Sequence, residues 1–87
     1  MSTKVSDVLL KRLEEAAIAE PQREIPVIVT LTEGADLAAL EAKGLKIQRT
    51  FQNMSAVAGT LTVAEANAIE QLDQVRAIEY DERAWAL

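Results

Sequence analysis

The run Ile25-Pro26-Val27-Ile28-Val29-Thr30-Leu31 constrains the fold more than any other part of this chain. It is apolar throughout, rich in β-branched residues and too short for a buried helix. A run of that kind reads as a central β-strand buried on both faces. Proline cannot donate to a strand ladder, so Pro26 belongs at the start of the strand. A central strand needs neighbours on either side, and the rest of the chain has to supply them.

Upstream, Ser6 and Asp7 mark a helix start, because a short polar side chain can accept from an orphan backbone N–H. Val5, Leu9, Leu13 and Ala17 recur every fourth residue, with Leu10 and Ala16 beside them. This predicts a narrow apolar stripe on a charged helix over residues 7–19, ending before Pro21. Residues 21–24 read as a polar linker. Downstream, Leu37 and Leu40 share one face of a short helix over 36–43, closed by Gly44 as a left-handed cap. Leu45, Ile47 and Phe51 alternate with Lys46, Gln48 and Thr50, which predicts a half-buried strand with Arg49 as the exception on the apolar side. Gln52-Asn53 is a turn. Residues 55–61 form a strand of small residues in which Gly59 marks a bulge or a close approach. Thr62 and Glu65 form a capping box before a helix over 63–72 that turns Ala66, Ile69 and Leu72 inward. Asp73-Gln74 then turns into a last strand over 75–80.

After the first helix the order is strand, helix, strand, strand, helix, strand. That predicts an α+β fold: a ferredoxin-like βαββαβ antiparallel sandwich with an extra N-terminal helix. Both inner helices cover one face of the sheet. Only the extra helix or a partner could cover the other. The chain divides into an N-terminal helix and linker (1–24), the sandwich (25–80) and a C-terminal tail (81–87).

With 87 residues there is one domain and a modest core. Phe51, Tyr80 and Trp85 are the only aromatic residues, so the core must come from Leu, Ile, Val and Ala. A net charge of −5 argues against nucleic acid as a partner. No apolar stretch is long enough to cross a membrane. The chain has no His and no Cys, which removes the commonest general base, thiolate chemistry, disulfides and the usual zinc ligands. Its three glycines, at 34, 44 and 59, are too scattered to cradle a phosphate. The reading is therefore of a protein that is not an enzyme and needs no cofactor or metal.

The end of the chain is the informative part. Ile78-Glu79-Tyr80-Asp81 alternates carboxylates with apolar residues and runs into Glu82-Arg83-Ala84-Trp85-Ala86-Leu87. A frayed terminus is the ordinary reading. Against it stand Trp85 and Leu87, large apolar residues where exposure is expected, and the lack of Gly, Pro or Ser. The tail could also fold back on the uncovered sheet face.

Three segments resemble one family, the subtilisin propeptides and their free-standing inhibitor relatives. Residues 25–31 look like its first strand. Asn53-Met54-Ser55-Ala56-Val57-Ala58-Gly59-Thr60-Leu61-Thr62 is similar to its third strand leading into the second helix. Leu72-Asp73-Gln74-Val75-Arg76-Ala77-Ile78-Glu79-Tyr80-Asp81 resembles its closing pattern of leucine, turn, valine, short strand and acidic end. The likeness spans about residues 25–87. The stretch before it resembles the short helix ahead of this domain in some subtilase precursors.

The resemblance implies a partner, a subtilisin-like serine protease. In that family the sheet packs on two parallel surface helices of the enzyme. Glu79 and Asp81 match the carboxylates that cap those helices; taken alone, they would read as two solvated charges on an edge. Ala84, Trp85, Ala86 and Leu87 match the residues that lie in the non-primed substrate cleft as an added strand, with Leu87 in the main specificity pocket. The implied function is inhibition of the protease in a product-like manner, with or without a folding-chaperone role. The alternative is a ferredoxin-like regulatory or oligomerisation domain with no protease partner. The inhibitor is expected to be a monomer when free. It is expected to be cytoplasmic if the chain is complete as given, and extracellular or periplasmic if it was cut from a secreted precursor.

Overall fold

A computed structural model describes residues 4–51 and 53–82. Its elements run α1 (Asp7–Ala19), β1 (Ile25–Leu31), α2 (Leu37–Ala42), β2 (Lys46–Phe51), β3 (Ala56–Leu61), α3 (Val63–Glu70) and β4 (Val75–Tyr80). The strands form one four-stranded sheet in the order β2-β3-β1-β4, and every neighbouring pair is antiparallel. Hence β1 and β2 run parallel with β3 between them, and β3 and β4 run parallel with β1 between them. This is the split β-α-β unit twice over, the ferredoxin-like βαββαβ arrangement.

The local signals act where the sequence puts them. The Ser6 hydroxyl accepts from the Leu9 amide at 3.3 Å and starts α1. Asp36 caps α2 by accepting from the Ala38 amide at 3.0 Å, and Gly44 beyond the helix end has φ 107°. Thr62 and Glu65 close both halves of the capping box of α3.

The strand registers sort the side chains onto two faces. Val29 lies between Val57 and Ile78, and Ile25 opposite Leu61. These residues are buried in one cluster with Leu9, Leu13 and Ala16 of α1, Leu40 of α2, and Ala66 and Ile69 of α3. All three helices therefore pack on the same side of the sheet. The extra N-terminal helix does not cover the opposite face; Leu9, fully buried, joins it to the common core. Its inward stripe is Leu9, Leu13 and Ala16, whereas Ala17 is exposed and Leu10 is 46% exposed. The stripe steps by three after Leu13 because a period of 3.6 drifts off a strict four-residue spacing.

The segment before α1 ties down the outer edge of β4. The Ser6 amide donates to the Ile78 carbonyl at 3.0 Å, and the Ile78 amide donates to the Lys4 carbonyl at 2.8 Å, a one-residue parallel bridge at Val5. The Lys4 ammonium donates to the carbonyls of Glu70 and Leu72, at 2.9 and 3.0 Å, where α3 ends. A cation there satisfies carbonyls the helix leaves open and suits the negative end of its dipole. Arg12 of α1 sits over the Tyr80 ring, 5.2 Å from its centroid.

Arg49 corrects the sequence reading. Strict alternation puts it with Ile47 on the buried side. The register of β2 against β3 instead shifts between Ile47 and Arg49, so Ile47 pairs with Gly59 and Arg49 with Ala58. The extra residue turns Arg49 and Phe51 to the uncovered face and keeps an unpaired guanidinium out of the core. Gly59 opposite the bulge permits it: a Cβ there would collide with the Lys46 carbonyl. β1 is the central strand expected, but on the uncovered face Ile28 and Thr30 are only half-buried. Among the described residues no helix is long and apolar enough to cross a membrane.

Candidate protein-binding face

The face that no described helix covers is a grid of three rungs running straight across the sheet. The central rung is Arg49–Ala58–Ile28–Glu79, each pair opposite in register. On one side of it lies Phe51–Ala56–Thr30–Ala77. On the other lies Lys46–Thr60–Pro26. Asp81 completes this last rung through its amide, which donates to the Pro26 carbonyl at 3.0 Å.

Small residues fill the middle of the grid. Ala56 and Ala58 are buried between their larger neighbours although no helix covers them, and Thr30, Thr60 and Ala77 are half-buried. Such a floor lets another backbone or helix approach closely. On the grid positions charge is confined to the margins, Lys46 and Arg49 on β2 and Glu79 and Asp81 at the end of β4; Arg76 is exposed at the bulge near the start of β4. Lys46 is already paired with Glu24, whose bond and charge raise the lysine pKa above its ordinary value. Arg49 and Glu79 are exposed and make no ion pair among the described residues.

Both predicted capping carboxylates thus lie at one margin of this face. Glu79 stands on it, exposed; Asp81 follows two residues on, half-buried and anchored to β1 through its backbone. The predicted tail residues Ala84, Trp85, Ala86 and Leu87 lie outside the described residues, as does Gln52 of the predicted turn. Arg49 is the member of the face that alternation missed. Two signals could have found it: an arginine has no partner in an aliphatic core, and Gly59 on the facing strand makes room for a bulge.

Among the described residues no group of three or more Asp or Glu side chains could hold a metal ion. A cleft of about 150 Å³ between α1, the linker and the start of β1 is lined by Arg12, Arg23, Tyr80 and three glutamates. This cleft is below the 300–1,000 Å³ of typical ligand sites, and the larger space of about 440 Å³ beside it, lined by Arg12, Arg23, Tyr80 and Glu82, is shallow and open to solvent. The wide uncovered face, not this cleft, is the feature suited to a macromolecular partner. Comparison with known proteins adds no relative to this geometry: no family model matches the chain, and no curated protein matches it.

Proposed function

We propose that this protein inhibits a subtilisin-like serine protease. The uncovered sheet face lies on the protease surface, and residues 84–87 enter the non-primed substrate cleft as a product-like strand. The observation that carries the reading is the position of Glu79 and Asp81. They stand at one margin of a smooth apolar face from which all three helices are absent, at the point where the chain leads into its tail.

The chemistry follows from that placement. Two helix N-termini on a protease surface would present unpaired N–H groups and positive dipole ends, and carboxylates satisfy both. The tail pairs by its main chain with a cleft strand, while alternate side chains enter pockets and Leu87 fills an apolar one. Ala86 is small enough for a tight passage. The same surface would let the domain act as a folding chaperone for a cognate protease, since it holds the two surface helices in register.

The test is a titration of a subtilisin with the full chain and with a variant lacking Ala84 to Leu87, with circular dichroism to verify folding. Removal of the four residues abolishes inhibition and leaves the fold intact, because they lie beyond β4. Leu87→Asp acts nearly as strongly, by burying an unpaired carboxylate, while Leu87→Phe is tolerated. A folded, truncated protein that inhibits as well as the full chain overturns the product-like mechanism.

A further inference from the structure

We propose that the uncovered face also binds a second copy of this chain, forming a weak two-fold dimer that hides the same surface. The inference rests on the rungs and makes no use of the protease reading.

A two-fold axis lying in the interface and parallel to the strands turns the second face over and reverses every rung. The β2 side of one copy then lies over the β4 side of the other, and β3 over β1. On the central rung Arg49 meets Glu79 of the second copy, and Ile28 meets Ala58. On the next rung Phe51 meets Ala77, and Thr30 meets Ala56. On these two rungs each larger uncharged side chain faces a small one, and Arg49 and Glu79, which make no ion pair among the described residues, each face the opposite charge. The second possible axis, parallel to the rungs, sets Arg49 over Arg49, Glu79 over Glu79 and Ile28 over Ile28. That packs charge on like charge and leaves Ala58 facing a void. The pattern therefore selects one of the two isologous arrangements. It also fits aligned face-to-face packing of twisted sheets about 10 Å apart.

Area sets the strength. Four strands about 4.8 Å apart and three rungs about 7 Å apart cover about 400 Å² a copy. The total of about 800 Å² lies below the 1,200–2,000 Å² of stable complexes, so the dimer is transient, with a dissociation constant above about 1 µM. At the dilute concentrations of an inhibition assay the chain is the monomer expected from its sequence, and the face is free.

Sedimentation equilibrium from micromolar to millimolar protein, without protease, tests this. The full chain shows reversible monomer–dimer association that weakens with added salt. Arg49→Glu gives a face with carboxylates at both margins, and Glu79→Arg one with cations at both. Each alone associates more than about tenfold more weakly than the parent. An equimolar mixture of the two associates at least as well as the parent, and the double variant R49E/E79R regains self-association. The mixture separates a lost contact from a misfolded variant, because misfolded chains do not rescue each other. A parent chain that stays monomeric at millimolar concentration, or single variants that associate as well as the parent, overturns the proposal. Loss of the dimer with inhibition retained removes only this proposal. Dimerisation without inhibition removes the protease reading and leaves this one standing.

Discussion

The two faces of the sheet are made by the same four strands and obey opposite rules. On the covered face Val27, Val29, Val57, Leu61, Val75 and Ile78 are each no more than 2% exposed, and they interlock with three helices. On the uncovered face the same strands present Pro26, Ile28, Thr30, Ala56, Ala58 and Ala77, with charge only at the margins. The covered face is filled by bulk. The uncovered face is kept low and smooth, so it exposes little apolar area while leaving room for a close approach. Neighbouring residues of one strand can therefore differ sharply in what they contribute, and substitutions along β4 and its supports measure that difference.

The largest effect belongs to α1. Deleting residues 1–20 removes Leu9, Leu13 and Ala16 from the core and the Lys4–Ser6 bridge from β4. Burying a leucine side chain is worth about 1.5–3 kcal/mol, so two of them are worth about 3–6 kcal/mol. For a domain of this size that lowers the melting temperature by about 12 °C or more. Because α1 lies on the covered side, inhibition by the fraction that still folds is retained. Loss of protease binding in a truncated chain that remains folded would put the interface on the wrong side of the sheet.

Next comes a pair of adjacent positions. Ile78→Ala opens a cavity under the helices and costs about 2–5 kcal/mol in chemical denaturation. Ala77→Val, one residue earlier and facing the other way, changes stability by less than about 0.5 kcal/mol. It does put two methyl groups onto the smooth face, so it weakens protease inhibition. Equal losses of stability at both positions would mean that the faces are not distinct.

Much of this architecture was legible in the sequence because its signals are local. The apolar run at 25–31 gave a central strand with the same bounds, and Ser6, Gly44 and the Thr62–Glu65 box act through bonds within a few residues. Three things were not legible. The bulge in β2 depends on the close approach of the Lys46 carbonyl to Gly59 across a strand pair, so alternation alone sent Arg49 to the wrong face. The side on which α1 packs depends on space beside α3 and β4 that exists only after folding, and the N-terminal bridge at Val5 follows from it. Of the candidate site, the acidic margin was read from spacing and resemblance, but its basic counterpart at Arg49 stayed hidden behind the bulge.

The smallest effect on the fold is expected at the acidic margin. Glu79→Ala with Asp81→Ala removes two carboxylates from β4 and its extension. Glu79 is exposed and supports no packing. The Asp81 amide donates to the Pro26 carbonyl, and alanine retains that ladder bond. Stability should change by less than about 0.5 kcal/mol for Glu79→Ala. Binding is different, because a carboxylate at a helix N-terminus contributes about 0.3–1 kcal/mol, and up to about 2 kcal/mol where water is partly excluded. Two such caps on the protease imply a loss of inhibition of about three- to several-hundred-fold. Salt separates the mechanisms: if the carboxylates act as caps, the gap between parent and variant narrows as ionic strength rises, because charge–dipole attraction at a partly exposed margin is screened. An inhibition constant that does not move in the double variant, at low salt and with the fold intact, would reduce Glu79 and Asp81 to solvated charges on a strand edge. The protease reading would then rest on the tail alone.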